Sequence, residues 1–288
     1  MMSLPPVLRY HGGKWRMADW LISHFPPASE YKAYVEPFGG SASVLMRMHR
    51  SAFEVYNDLD GEIVNVFRVL RDPTACARLE NLLRLTPYSR EEFELSYETH
   101  DDPVEQARRT VFRAFSGFGS AAATKGRTGF RAFSGSSGRG VNPAAYWSRY
   151  PANLAAFGER LSGVVLESRP ALDVILERDS PRTLHYLDPP YMHGTRAMGQ
   201  DKATYRHEMS DGDHEAILKA CNQLDGFVVI SGYPSELYQD LLTDWKMVRR
   251  EFAASGRQGT VIRTECLWLS PRVVGQQQQD DMFAGEVG

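Results

Sequence analysis

Apolar positions along the chain change period several times, and the changes outline alternating strands and helices. Near the start, Trp15, Trp20, Leu21 and Phe25 recur at helical spacing and predict a helix that stops at Pro26 and Pro27, because proline cannot continue the backbone ladder. A strand is expected over Ala33 to Glu36, then the turn Pro37-Phe38-Gly39-Gly40, then a helix capped by Ser41 with Val44, Leu45 and Met48 on its apolar face. A second strand, Phe53 to Asn57, ends at Asp58-Leu59-Asp60-Gly61, and Ile63, Val66, Phe67 and Leu70 mark the next helix. Strand, glycine turn, helix, and strand with an acidic end is the layout of a nucleotide-binding α/β unit.

Strand signals are weak from Thr74 to Leu161, where helical patterns flank a loop rich in glycine and serine, Gly117 to Val141. The α/β pattern resumes with a strand at Val164 to Leu166, a helix over Ala171 to Glu177 and a strand over Thr183 to Leu187. A helix near Asp213 to Leu224 and strands at Phe227 to Ser231, Lys246 to Phe252 and Val261 to Leu269 complete it. The expected organisation is an α/β domain built from residues 1–73 and 162–275, interrupted by a mainly helical insertion, 74–161, and ending in a disordered tail, 276–288.

With 42% hydrophobic and 24% charged residues the composition is that of an ordinary folded domain. No apolar run reaches the roughly 18 residues that span a bilayer, and Met1 to Gly13 lacks the apolar stretch of a signal peptide, so a cytoplasmic protein without a membrane partner is expected. Cys76, Cys221 and Cys266 read as reduced cysteines, and no histidine cluster has metal-ligand spacing, so no metal is inferred. The net charge of −3 hides an asymmetry: Gln106 to Gly158 contains no acid, whereas Arg108, Arg109, Arg113, Lys125, Arg127, Arg131, Arg139 and Arg149 fall inside it. One region is therefore expected to be locally cationic.

The chemistry concentrates in Asp188-Pro189-Pro190-Tyr191. Two prolines forbid continued strand pairing, so the strand must end there and leave an acid and an aromatic ring on a fixed loop at its carboxyl end, where open α/β sheets bind ligands. An acid in that position accepts hydrogen bonds from an amino group while the ring stacks on a flat base. The bland alternative is a strand-ending turn with a buried tyrosine. Asp58, about 20 residues beyond the glycine turn, stands where an acid accepts from ribose hydroxyls, although either Asp58 or Asp60 could instead cap the following helix.

These segments in this order resemble the Dam-type, class D12, DNA adenine methyltransferases over nearly the whole chain. The resemblance rests on Tyr10-His11-Gly12-Gly13-Lys14-Trp15, Glu36-Pro37-Phe38-Gly39-Gly40-Ser41, Asn57-Asp58, Asp188-Pro189-Pro190-Tyr191 and Glu265-Cys266-Leu267-Trp268. It implies a Rossmann-like methyltransferase sheet with helices on both faces. It also implies S-adenosylmethionine as methyl donor, held by Tyr10, Lys14, the turn Glu36 to Ser41, Asp58 and Asp188. Catalysis is implied at Asp188, Pro189, Pro190 and Tyr191. Double-stranded DNA is the implied partner, read by the insertion, with Lys125, Arg127, Arg131 and Arg139 as its DNA-binding cations and a monomer or weak dimer as the acting form. Many relatives carry an aspartate near the cofactor's adenine where this chain has Pro170, and Asp173 is a candidate substitute.

The implied reaction moves a methyl group to N6 of an adenine flipped out of the duplex, with no covalent enzyme intermediate. The alternatives are N4-cytosine methylation, in which the acceptor is again an amino group, and a silent DNA-binding protein of the same fold.

Overall fold

The computed structural model describes residues 4–10, 12–118, 122, 127–132, 142–192, 206–256 and 259–285, the side chains at 253–256, 259–261, 263 and 280–285 excepted. Lys125 and Arg139, two of the expected DNA-binding cations, lie outside the described residues.

In chain order the helix α1 (Ala18–Ile22) precedes strands β1 (Ala33–Glu36) and β2 (Phe53–Asn57). Helices α2 (Gly61–Arg71), α3 (Pro73–Leu85), α4 (Arg90–Leu95), α5 (Pro103–Ser116), α6 (Pro143–Trp147) and α7 (Leu154–Leu161) come next. They are followed by β3 (Val164–Glu167), α8 (Ala171–Glu177), β4 (Thr183–Leu187), α9 (Asp211–Cys221), β5 (Phe227–Ser231) and α10 (Glu236–Leu241). The hairpin β6 (Lys246–Gly256) and β7 (Gly259–Leu269) and the helix α11 (Pro271–Gly285) end the chain.

The strands form one seven-stranded sheet in the order β3-β2-β1-β4-β5-β7-β6. β1 pairs in parallel with both β2 and β4, whereas β7 runs antiparallel to β5 and β6. Strand order therefore reverses between β1 and β4, and in a parallel sheet such a switch point opens a crevice at the carboxyl ends of the strands. The loops after β1 and β4 begin with Pro37 and Asp188, two of the segments singled out from the sequence.

Alternation along the central strands decides what each face packs. Val35 and Val55 point to the face covered by Val174 of α8, while Tyr34, Tyr56 and Tyr186 point to the other. There they join Phe67 of α2, Phe112 and Phe115 of α5 and Trp147 of α6 in one continuous apolar cluster. The helices within 74–161 pack on α2 through α5 and α7, so this stretch shares its core with the sheet domain.

Several local expectations are corrected. No α-helix follows the glycine turn: residues 41–48 form successive turns, with Ala42 at φ +52°. Ser41 therefore caps nothing, and its hydroxyl bonds that of Ser43 at 2.8 Å. The first helix starts only at Ala18, because Lys14 to Met17 form a turn closed by Met17 N–H on the Lys14 carbonyl at 2.8 Å. In place of the expected disordered tail over 276–288, residues 276–285 continue α11, and 286–288 lie outside the described residues. Pro271 starts the helix, Val273 is fully buried, and Gln277 donates to the His24 carbonyl at 2.9 Å.

Candidate active site

A cleft opens at the switch point, lined by Tyr10 and Lys14, by the turn Glu36 to Ser41, by Asp58, and by Asp188 and Pro190. Its floor is built for close approach. A Cβ on Gly39 would stand 2.1 Å from Tyr56 Cε2, and Gly40 sits at φ +48° with Tyr10 against it, so neither position accepts a side chain without displacement. The Tyr56 hydroxyl donates to the Gly40 carbonyl at 2.7 Å.

Asp58 ties the end of β2 to that turn. Its Oδ2 accepts the Gly40 N–H and its Oδ1 the Asp60 N–H, both at 2.8 Å. Asp60 is the residue that caps α2, accepting from the Glu62 N–H at 3.0 Å. Burial raises the Asp58 carboxyl above its ordinary value, against the pull of these two amides. Asn57 locks the neighbouring loops, donating to the carbonyls of Pro37 at 2.9 Å and Arg169 at 3.0 Å.

The back of the cleft is a buried charge cluster. Lys14 Nζ donates to Asp188 Oδ1 at 2.7 Å, to the Tyr191 hydroxyl at 2.7 Å and to the Gly12 carbonyl at 3.0 Å. The Tyr191 hydroxyl donates in turn to Glu265 Oε1 at 2.6 Å, which also accepts from Ser231 Oγ at 2.5 Å. Burial opposes charge on Lys14, but Asp188 and Glu265 outweigh it and hold the ammonium protonated above its usual range. For Asp188, burial and the Glu265 charge together exceed the pull of Lys14 and push the carboxyl up to about 6. Glu36, which accepts from Tyr34 Oη at 2.9 Å and Leu45 N–H at 3.1 Å, is pushed by burial up to about 8 and is mainly protonated at neutral pH.

Sequence reasoning brought Tyr10, Glu36, Pro37, Phe38, Gly39, Gly40, Ser41, Asp58 and Asp188 to one place, and the cleft has all of them in its lining. Pro190 lines the cleft, Pro189 is buried, and the ring of Tyr191 packs edge-on against Tyr233 with centroids 4.8 Å apart. Lys14 differs from expectation in that its ammonium is committed to Asp188 and Tyr191. Ala171 lines the cleft, whereas neither Pro170 nor Asp173 does.

A family model described as D12 class N6 adenine-specific DNA methyltransferase matches residues 10–252. The chain belongs to that family. It is accordingly an adenine-specific DNA methyltransferase, and the family implies S-adenosylmethionine as its methyl donor. No curated protein matches the chain. Among the described residues no helix is long and apolar enough to cross a membrane, and no group of three or more histidines, cysteines or acids could hold a metal ion.

The methyltransferase's arginines are distributed otherwise than its acid-free stretch suggests. Arg108, Arg109 and Arg113 are buried and bonded to acids outside that window. Arg108 meets Glu105 and Glu92, each at 2.7 Å, Arg109 meets Glu105 at 2.9 Å, and Arg113 pairs with Glu62. They hold α5 to its neighbours. Arg127 is 69% exposed, pairs with Glu94 at 2.8 Å and lies over the Tyr97 ring. Arg131 lies close enough to Arg9 to depress it, after burial, which is the larger cause.

Two site residues, Arg206 and Ser231, escaped sequence reasoning, and Glu265 entered the resemblance with no role given to it. Arg206 lines the cleft and donates to Asp60 at 3.0 Å, but nothing in its surroundings marks it. Ser231 ends a uniformly apolar strand. Glu265 had a visible signal: an acid standing directly before the apolar run Cys266-Leu267-Trp268-Leu269 that ends β7.

Proposed function

We propose that the cleft binds S-adenosylmethionine and that Asp188 receives the amino group of an adenine turned out of double-stranded DNA at a specific site. The observation that supports this best is the placement of Asp188. It ends β4 at the switch point, keeps 19% of its side chain exposed, and has Oδ1 held by Lys14. Its lining suits the cofactor: Gly39 and Gly40 leave room for close approach, and the buried hydroxyl of Tyr186 has no partner among the described residues. Asp58 is the acceptor for ribose hydroxyls, and Tyr10 covers the glycine turn.

Bound there, S-adenosylmethionine supplies an electrophilic methyl group on a sulfonium. The protein's part is alignment, exclusion of water and management of one proton-bearing nitrogen. Adenine N6 is a poor nucleophile because its lone pair is delocalised into the ring. Ionised Asp188 and the Pro189 carbonyl accept the two N6 hydrogens, which favours the pyramidal nitrogen of the transition state. Tyr191, whose hydroxyl is anchored by Lys14 and Glu265, offers its ring for stacking. A stacked base gains about 1–3 kcal/mol, enough to offset much of the few kcal/mol lost on leaving the duplex. Residues 74–161 form the DNA-reading part, with Arg127 and Arg131 and, outside the described residues, Lys125 and Arg139 on phosphates.

The test is incubation with tritiated S-adenosylmethionine and unmethylated genomic DNA, followed by digestion to nucleosides. Label is expected in N6-methyladenosine alone, and Asp188→Ala should lower turnover by about a thousandfold or more. Normal turnover by Asp188→Ala would refute the assignment.

A further inference from the structure

Glu265 stands on β7, outside the residues matched by the family model, and is absent from the cleft's lining. It is 3% exposed, accepts from Tyr191 and Ser231, and lies 3.8 Å from Lys14 Nζ. Lys14 already has a closer carboxylate, Asp188, at 2.7 Å. One buried ammonium is thus shared by two buried carboxylates, an arrangement that costs free energy and is not needed to neutralise Lys14. With both acids ionised the cluster keeps one net negative charge directly behind the cleft wall.

The methyl donor and the product left after transfer share adenosine, ammonium and carboxylate groups. They differ by one methyl group and one unit of charge: a sulfonium becomes an uncharged thioether. Contacts to the shared groups hold both equally, so discrimination comes from contact with the methyl group or from a field acting on the charge. We propose that Glu265, acting from behind Lys14 and Tyr191, supplies the excess negative charge that makes the cleft prefer the sulfonium of S-adenosylmethionine to the thioether of S-adenosylhomocysteine. The inference rests on the cleft being the cofactor site. One charge behind the cleft wall, at an effective dielectric of about 20, changes affinity by on the order of tenfold. A donor-selective cleft also releases product readily.

Calorimetric titration of the full-length protein with each ligand, without DNA, separates the possibilities. Glu265→Gln keeps an acceptor for both hydroxyls and removes the charge. It should weaken S-adenosylmethionine about tenfold and S-adenosylhomocysteine less than twofold. Glu265→Asp keeps the charge and shortens the reach, so it should preserve the wild-type ratio of affinities even if both ligands weaken. Equal losses for the two ligands in Glu265→Gln, or an Asp variant that behaves like the Gln variant, would overturn the proposal in favour of a packing role.

If neither variant folds, the wild type decides. Asp188 faces Lys14, Glu265, Tyr186, Tyr191 and Ser231, with Glu36 and Tyr238 nearby; its carboxyl is pushed up to about 6 and that of Glu36 up to about 8. Protonation of Asp188 cancels the excess charge of the cluster, and Glu36 loses its residual charge over the same range. Preference for the sulfonium should therefore fall several-fold between about pH 7.5 and about pH 5, and an unchanged ratio would overturn the proposal. Wild-type protein that binds neither ligand would instead overturn the cleft assignment itself.

Discussion

Asp188 has to remain ionised where burial opposes ionisation. Its carboxyl is pushed up to about 6, so the acceptor form is lost as pH falls through that value, well above where an ordinary aspartate near 3.9 would titrate. Single-turnover methylation should therefore show an acid limb near pH 6. The sign for stability is opposite. Because the folded value exceeds the unfolded one, this group favours the fold fully below the ordinary aspartate value, and that contribution disappears as pH rises through about 6. Tyr191 divides similarly into ring and hydroxyl. Tyr191→Ala removes the stacking ring and should weaken binding of DNA and turnover by about 1–3 kcal/mol, or roughly 5- to 150-fold. Tyr191→Phe retains the ring and loses only the bridge between Lys14 and Glu265, so DNA binding should change less than in the alanine variant. An equal loss in both variants would remove the ring from the argument.

At the scale of elements, the stretches whose geometry is local were legible in the sequence. Ala33–Glu36, Phe53–Asn57, Ala171–Glu177, Thr183–Leu187 and Phe227–Ser231 carry their own punctuation in proline, glycine and acid, and the structure has them at those bounds. The segment after Gly40 reads as a helix from Val44, Leu45 and Met48 but forms turns. Its backbone is claimed by distant partners: Glu36 takes the Leu45 N–H and Arg160 takes the Leu45 carbonyl at 2.6 Å. The glycine turn is held by close contact with Tyr56 rather than by a helix. Gly39→Ala would force a Cβ into that ring, and overpacking of this kind costs about 1–3 kcal/mol, which should appear as a lower denaturant midpoint together with weaker cofactor binding. A variant as stable as wild type would mean that Tyr56 can move aside.

For the whole molecule, the cationic stretch divides into buried arginines that hold the fold and the exposed Arg127, which is proposed to meet DNA. Arg108→Ala would leave Glu92 without its arginine and Glu105 with Arg109 alone, and should cost about 2–3 kcal/mol in chemical denaturation, with little effect on the salt dependence of DNA binding. Arg127→Ala should leave stability nearly unchanged and lower the slope of log affinity against log salt by about one. The reverse pattern would exchange their roles. The sequence alone determined where strands end, where backbone can approach a ligand and which acid and ring stand after β4, because each depends on residues adjacent in the chain. Tertiary structure decided which charges are spent on one another. Lys14 meets Asp188 across 174 positions, and Tyr191 meets Glu265 across 74. Such pairs arise from the order of strands in the sheet, and no local period in the sequence encodes that order.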